Sequence, residues 1–404
     1  MAVPRTRAGN YPAVLSYGFR PFFLAGSLYS GLAIAFWLPL LYGQLETASL
    51  FEPVDWHIHE MLFGYLAAVV TGFLLTAIPN WTGRLPVQGT PLLLLFLLWL
   101  AGRFAVFFSA ELGWVAAAAI DCAFLAALAA AAAIEIVAGR NWRNLKVLAP
   151  VTVLLAANIL FHVEARLAGT TDISRRLAIA AAILLVTIIG GRIIPSFTRN
   201  WLVRENPGRL PQPFGRVDAL MIGLSAAALA AWTLFPYSVA AGGLLLAAGL
   251  ANAVRLARWA GDRTLRDPLV LILHLAFLFV PLGLVLCGLA ALTPDLVPAA
   301  AGIHAFGAGA IGSMTLAVMV RATLGHTGRE LRAGPAALAI FTAAILAGVL
   351  RIAAAFLPAS IHLLHLSALL WSAAFLGFAA AFGAMLLSPR LRPRQPSMAT
   401  GREA

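Results

Sequence analysis

The stretch WHIHEMLFGYLAAVVTGFLLTAIPNWTGR, residues 56–84, predicts how this chain folds. From Met61 to Gly83 it contains no charged side chain. An α-helix needs about 20 consecutive, mostly apolar residues to cross a bilayer, so this stretch predicts a membrane span. Two histidines and a glutamate stand directly before the apolar run, and their role is the question that the rest of the sequence has to answer.

The composition extends the same interpretation to the whole chain. Of 404 residues, 61% are hydrophobic and only 11% are charged, and the mean hydropathy is +0.90. Soluble domains carry about 25% charged residues. The sequence therefore predicts an all-α, polytopic membrane protein. The first residues show no short apolar core followed by a cleavage site, so we expect no cleaved signal peptide.

Apolar runs recur along the chain and predict twelve spans in a single transmembrane domain over residues 1–389. We expect residues 390–404 to form a basic, disordered tail. The predicted spans lie near residues 20–43, 57–79, 91–109, 113–138, 146–167, 177–198, 217–235, 238–257, 268–291, 298–320, 335–357 and 361–387.

The distribution of basic residues predicts the orientation. Lys and Arg collect in the loops on the side of both termini, which by the positive-inside rule is the cytoplasmic side. Because the +12 net charge is scattered over these loops, it indicates membrane lipids rather than nucleic acid as a partner. The two cysteines lie singly in apolar segments, so neither a thiolate metal site nor covalently attached haem is expected.

Six of the eight histidines fall in the outer part of the predicted bilayer, on four spans. A single histidine at a helix end is usually just an interfacial polar residue. Six at one depth predict a shared site, because ionisable groups inside a membrane are costly and ordinarily face a cavity or the bundle interior. Imidazole suits Fe, Cu and Zn, and haem is commonly held between helices by imidazoles. The candidate metal ligands are His57, His59, His162, His304, His362 and His365.

Spacing narrows the choice among these ligands. His362 and His365 are three residues apart and share a helix face, whereas His57 and His59 are two residues apart and point in different directions. At most one of His57 and His59 is therefore expected to meet the same ligand as the other histidines.

Further polar residues on the outer side suit such a site. Glu60 and Glu164 are candidates for orienting an imidazole, and Asp121 is a candidate polar lining or proton-relay residue. Three arginines are candidates for pairing with haem propionates. Taken singly, each of them is more simply explained as an ordinary loop arginine. They are Arg166, Arg175 and Arg176. Inside the sixth span Arg192 needs a partner, for which Glu135 is the candidate.

Spans 2, 6 and 10 end alike on the inner side. The endings are TGFLLTAIPNWTGR (71–84), TIIGGRIIPSFTRNW (187–201) and GSMTLAVMVRATLGHTGR (312–329). Since these spans are four apart, the repetition predicts three four-helix units in a pseudo-threefold bundle.

Five stretches spread over most of the chain together resemble the NnrS family. They are YGFRPFF (17–23), WHIHEMLFGY (56–65), LLTAIPNWTGR (74–84), GGRIIPSFTRNWL (190–202) and MTLAVMVRATLGHTGR (314–329). The resemblance implies a bacterial inner-membrane protein with haem, expected to be non-covalent and b-type, and with copper. It also implies a link to nitric oxide, denitrification or nitrosative stress. Carried over by position, His57, His59, Glu60 and His304 bear the ligands. His326 and Arg329 belong to a family motif on the inner side, for which no role follows.

A looser architectural likeness exists to the catalytic subunit of haem–copper oxidases, which also has twelve spans and haem histidines on spans 2 and 10. This chain lacks the adjacent His-His pair and the His-Pro-Glu-Val-Tyr motif of that subunit. An oxygen-reducing activity is therefore not expected. Whether the protein is an enzyme with a redox activity toward nitric oxide stays open, and no electron donor is indicated.

Three hypotheses follow. The first is a haem-binding and copper-binding protein that acts on or responds to nitric oxide. The second is a twelve-span secondary transporter whose outer histidines line a substrate or proton path. The third is copper handling without haem, which predicts copper in the absence of haem absorption.

Overall fold

The computed structural model describes residues 10–391, except for the side chain of Arg143, and within them the protein is helical with no β-strand. Among these residues, twelve helices are long and apolar enough to cross a membrane, which confirms the predicted all-α, multi-pass fold. Of the predicted tail, residues 392–404 lie outside the described part of the chain. The twelve helices are α1 (Phe19–Leu41), α2 (Pro53–Thr82), α3 (Thr90–Phe107), α4 (Trp114–Ala138), α5 (Asn144–Leu167), α6 (Asp172–Glu205), α7 (Arg216–Leu234), α8 (Val239–Arg263), α9 (Pro268–Leu292), α10 (Ala299–His326), α11 (Pro335–Phe356) and α12 (Ile361–Leu387).

Local sequence sets several of the helix ends. Pro53 and Pro268 stand in the first turn of their helices, where the missing N–H costs nothing because that group has no intrahelical partner. The Asp267 side chain accepts a hydrogen bond from the Leu269 amide at 3.0 Å and caps α9. At the other end of α2, Gly83 adopts a φ of +71°, a left-handed conformation that glycine takes without strain.

The helices pack as three successive units, α1–α4, α5–α8 and α9–α12. The fourth helix of each unit packs on the first helix of the next, in the pairs α4 with α5, α8 with α9, and α12 with α1. The second helix of each unit also contacts that first helix, in the pairs α2 with α5, α6 with α9, and α10 with α1. The same contacts recurring around a closed ring agree with the predicted pseudo-threefold bundle.

Both described ends of the chain lie at one end of the bundle. The guanidinium of Arg20 in α1 donates to the carbonyl oxygens of Leu386 (2.8 Å) and Ser388 (2.6 Å) after α12. We call this end the terminal face and the other end the opposite face. The predicted outer-side histidines belong to the opposite-face halves of their helices.

Two of the helices are interrupted by π-helix. In α2 the segment Glu60–Leu66 is π-helical, and in α10 the segment Ala305–Gly312 is π-helical. These are the second helices of the first and third units, while α6, their counterpart in the second unit, is α-helical throughout. π-Segments are rare and occur frequently at functional sites. Each one here begins immediately after a histidine, His59 or His304.

Candidate metal centre

Two histidines near the start of α2 enter different surroundings. His57 and His59 lie two residues apart on an α-helical segment, so their side chains project about 200° apart around the axis. His59 is fully buried at 0% exposure, and His57 is half-buried against α1. Helix geometry therefore separates the two imidazoles into two groups.

The first group is an imidazole pair formed by His57 of α2 and His304 of α10. The two side chains are close enough to interact electrostatically with each other, and both interact with the Arg351 guanidinium of α11. The ring of His57 stacks on the indole of Trp37, with ring centroids 4.2 Å apart. Thus three helices from the first and third units place basic groups together in the opposite-face half of the bundle.

The imidazole pair has the free nitrogen atoms that a metal needs. His304 donates its Nδ1–H to the carbonyl oxygen of Ala300 at 2.7 Å, which leaves Nε2 available. Metal-ligating histidines usually fix their other nitrogen in this way. The Nδ1 atom of His57 is buried without a hydrogen-bond partner, an arrangement that costs free energy unless something else satisfies it. Free imidazole nitrogens suit the iron of a haem, and the Arg351 guanidinium is a cation near both of them.

The second group is a buried polar cluster, in which an arginine joins two carboxylates. Arg103 of α3 donates to Glu60 Oε2 and to Asp121 Oδ1 of α4. Tyr29 of α1 also donates its hydroxyl to Glu60. Glu60 and Asp121 are 0% and 1% exposed. Since buried charges are tolerated only when paired, Arg103 is what allows two carboxylates inside the membrane.

Two imidazoles and an amide of the cluster converge on one oxygen, Asp121 Oδ2. His59 Nε2 and His162 Nε2 each lie 3.1 Å from it, and Asn158 Nδ2 donates to it at 2.8 Å. Metal–ligand bonds of about 2.0–2.2 Å place tetrahedral ligands about 3.3 Å apart, close to these separations. On its far side, His59 Nδ1 lies 2.9 Å from Glu60 Oε1, which is the carboxylate–histidine arrangement found behind many metal ligands.

The charges of the cluster leave room for one more positive charge. Glu60 and Asp121 carry two negative charges and Arg103 one positive charge, so the three sum to −1. Both nitrogens of His59 face a carboxylate, so a proton on this imidazole balances the cluster. A monovalent metal ion in contact with His59 Nε2, His162 Nε2 and Asp121 balances it equally well.

Two of the predicted ligands join neither group. His362 and His365 are both exposed at the start of α12. His365 donates Nδ1–H to the carbonyl oxygen of Ile361 at 2.8 Å and stacks on Tyr42 with ring centroids 5.7 Å apart. Neither side chain contacts another imidazole in the described contacts.

The other predicted residues of this face have their own partners. Glu164 accepts hydrogen bonds from the amide and the hydroxyl of Ser174, at 2.9 and 2.6 Å, and so ties α5 to the start of α6. Arg175 pairs with Asp172, and the buried Arg176 donates to the Thr233 carbonyl oxygen at 3.2 Å. Arg166, the third arginine predicted to pair with a propionate, is exposed. None of these four side chains contacts an imidazole in the described contacts.

On the terminal face, Arg192 does not pair with Glu135, so the expected partner is wrong. Glu135 instead accepts from Arg84 at 2.6 Å, and Arg192 Nη1 lies 3.3 Å from Asn144 Oδ1. The family-motif residues also lie on this face.

The ring of His326 lies 5.5 Å from the rings of Tyr17 and Phe19, centroid to centroid. Arg329 Nη1 is buried without a hydrogen-bond partner. The motif residues are thus far along α10 from the imidazole pair, at its other end.

Sequence reasoning missed three members of the buried polar cluster, although signals for two existed. Asn158 stands four residues before His162, so both side chains leave α5 on one face. Arg103 and Asp121 are ionisable residues inside neighbouring spans and need partners there. No local pattern marks Tyr29, since its partner comes from another helix.

Comparison with known protein families gives a match over most of the chain. A family model described as NnrS protein matches residues 13–390, nearly the whole chain. No curated protein matches the sequence.

Proposed function

The chain belongs to the NnrS family, and on that premise we propose that it is a haem- and copper-binding protein of the bacterial inner membrane that acts in nitric oxide metabolism or in resistance to nitrosative stress. The observation that carries the proposal is the imidazole pair. Two histidines from helices of different units lie close enough inside the bundle to interact electrostatically, and each has a nitrogen without a hydrogen-bond partner in the described contacts.

In this proposal the imidazoles of His57 and His304 would hold the haem iron. A haem held there would supply an iron that exchanges electrons with nitric oxide, or that binds nitric oxide once one of the two imidazoles is released. The chain itself contributes the position of the imidazoles: the Ala300 carbonyl fixes the His304 ring, and Trp37 supports the His57 ring. Arg351 would hold a propionate, because it is a cation near both imidazoles with no carboxylate partner in the described contacts.

The copper of the proposal belongs to the buried polar cluster. His59, His162 and Asp121 offer two imidazoles and a carboxylate within 4.8 Å of one another. Imidazole suits copper. A cuprous ion also supplies the single positive charge that the cluster lacks, which favours Cu(I) over a divalent ion. Because the His57 and His59 side chains project about 200° apart, the residues that would hold the two metals lie on opposite sides of α2.

Orientation is a further part of the proposal. The terminal face is cytoplasmic, because the loops on that face carry most of the basic residues. The imidazole pair and the buried polar cluster then lie in the periplasmic half of the membrane.

The test is optical spectroscopy and metal analysis on the purified, full-length protein, expressed with ample haem and copper. We expect an absorption band of haem near the blue end of the visible range that shifts on reduction with dithionite and shifts again with nitric oxide. His57→Ala and His304→Ala should each remove or strongly alter this band, whereas His365→Ala, at an exposed imidazole, should leave it unchanged.

A colourless protein with neither iron nor copper above background would contradict the proposal. The twelve-span transporter would then be the better explanation of the buried histidines. Copper without any haem absorption would support copper handling alone.

A further inference from the structure

A cavity of about 430 Å³ lies in the terminal-face half of the bundle, far along α2 and α10 from the metal centre. It is lined by the three repeated endings singled out in the sequence, which the proposed function leaves without a role. Each ending contributes residues one turn apart. They are Ala77 and Asn80 of α2, Ile193 and Phe197 of α6, and Val318 and Ala322 of α10.

The first helix of each unit completes the wall. Phe23 of α1 and Leu273 of α9 line the cavity, together with Val147 of α5. The first two helices of all three units therefore surround it. In a pseudo-threefold bundle, this places the cavity on the pseudo-symmetry axis.

Two guanidinium groups line this otherwise mainly apolar space, Arg192 of α6 and Arg321 of α10. No carboxylate is among the lining residues. The described contacts give Arg192 only an amide oxygen, Asn144 Oδ1 at 3.3 Å, and Arg321 only the ring of Phe197, 3.9 Å from its central carbon. Asp267 acts on Arg321 electrostatically without forming an ion pair.

Both arginines are half-buried, and neither forms an ion pair with a carboxylate in the described part of the chain. A cation held at low polarity without an anion is costly, and such a group inside a membrane ordinarily marks a binding site. The charge of this cavity therefore suits a negatively charged ligand.

We propose that the cavity binds a single-chain amphipathic anion, with the apolar chain along the walls and a carboxylate or phosphate on Arg192 and Arg321. Guanidinium groups recognise both oxyanions through paired hydrogen bonds. A volume near 430 Å³ falls in the range of ligand pockets, about 300–1,000 Å³. At about 30 Å³ for each water-sized group, it has room for about 14 methylene-sized groups, the size of one fatty-acyl chain.

The experiment uses the full-length protein in nanodiscs of neutral phosphatidylcholine and tetradecanoate carrying a photoreactive diazirine near the chain end. We expect cross-links to map to the terminal-face ends of α2, α6 and α10. Unlabelled tetradecanoate and tetradecyl phosphate should both compete, the stronger competitor showing which head group is preferred, and uncharged tetradecanol should compete at least tenfold less well.

Arg192→Gln combined with Arg321→Gln should reduce the cross-linking at least tenfold. Arg199→Gln is the matched control, because this arginine is exposed on α6 and does not line the cavity. Unchanged cross-linking in the double variant, or equal competition by tetradecanol, would overturn the proposal. Loss of haem absorption in the double variant would also overturn it, since the cavity would then hold the haem. A double variant that keeps its haem spectrum has folded, so its loss of cross-linking reports on this cavity alone.

Discussion

Arg103 decides whether the buried polar cluster can exist. The two terminal nitrogens of its guanidinium contact Glu60 of α2 and Asp121 of α4. Since Arg103 itself lies in α3, one side chain connects three helices of the first unit. Removing one partner of a buried ion pair leaves a charge without compensation and costs about 3–5 kcal/mol. The stability of this half of the bundle therefore depends strongly on one guanidinium.

We expect Arg103→Ala to lower the melting temperature of the purified protein markedly, because both carboxylates lose their cation. Arg84→Ala is the control. It also breaks an arginine–glutamate pair, but Arg84 is 44% exposed, and water solvates the partner that remains. Thermal unfolding in detergent measures both variants. Equal melting temperatures for the two would show that the cluster contributes no more than a surface pair.

A variant at His162 can distinguish the two proposed metal sites. Its imidazole belongs to the buried polar cluster and is not placed with His57 or His304 in the described contacts. We expect His162→Ala to lower the copper content by more than half while the haem spectrum and iron content stay close to those of the unaltered protein. Metal analysis and absorption spectra of one sample test this. Loss of iron and copper together would mean that the two groups form one site.

The π-segments set the rotation of the histidine-bearing ends of α2 and α10. Each extra residue in a π-turn turns the preceding segment by about 100° relative to a continuous α-helix. The positions of the insertions therefore set the directions in which the His57 and His304 side chains project. The π-segment also brings Glu60 and Tyr65 to the interior of the bundle, where both are buried.

Deleting Met61, within the π-segment of α2, should restore a continuous α-helix and rotate His57 away from His304. We expect the haem absorption to fall at least fivefold. The control is deletion of Glu46, an exposed residue in the loop before α2, which shortens the chain without changing the rotation of any helix. Haem content relative to protein is the measurement, with gel filtration to check folding. Equal haem content in both deletions would rule out this role for the π-segment.

The loops at the two ends of the bundle differ in charge. Basic residues dominate the loops of the terminal face, and acidic residues dominate those of the opposite face. Because basic loops stay in the cytoplasm, this division predicts one insertion direction for the entire molecule. The terminal-face set includes Arg84, Arg140, Arg209, Arg329 and Arg332, and the opposite-face set includes Glu46, Glu52, Glu111 and Asp295.

Cysteine labelling of intact cells tests this direction. Gln44→Cys, exposed between α1 and α2, should react with a membrane-impermeant maleimide that has crossed the outer membrane. Glu330→Cys, exposed between α10 and α11, should react only after the inner membrane is opened. The unaltered protein is the control, because Cys122 and Cys287 lie within α4 and α9. The reverse labelling pattern would place the terminal face in the periplasm.

The sequence by itself determined the all-α class, the twelve spans and the repetition of their endings. Hydropathy is a property of each segment alone: every run of about 20 apolar residues must become a helix because a bilayer offers its backbone no other hydrogen-bond partners. For the same reason His57, His59, His162 and His304 could be placed at one depth before their neighbours were known.

Only the tertiary structure decided which of these side chains meet. His57 and His59 lie in different groups, and His59 is paired with Asp121 of α4. His365 is exposed, and Glu135 pairs with Arg84 rather than with Arg192. Such pairings depend on the rotation of each helix about its own axis. That rotation follows from packing against neighbours and from the two π-insertions, and neither is encoded in the hydropathy of a single span.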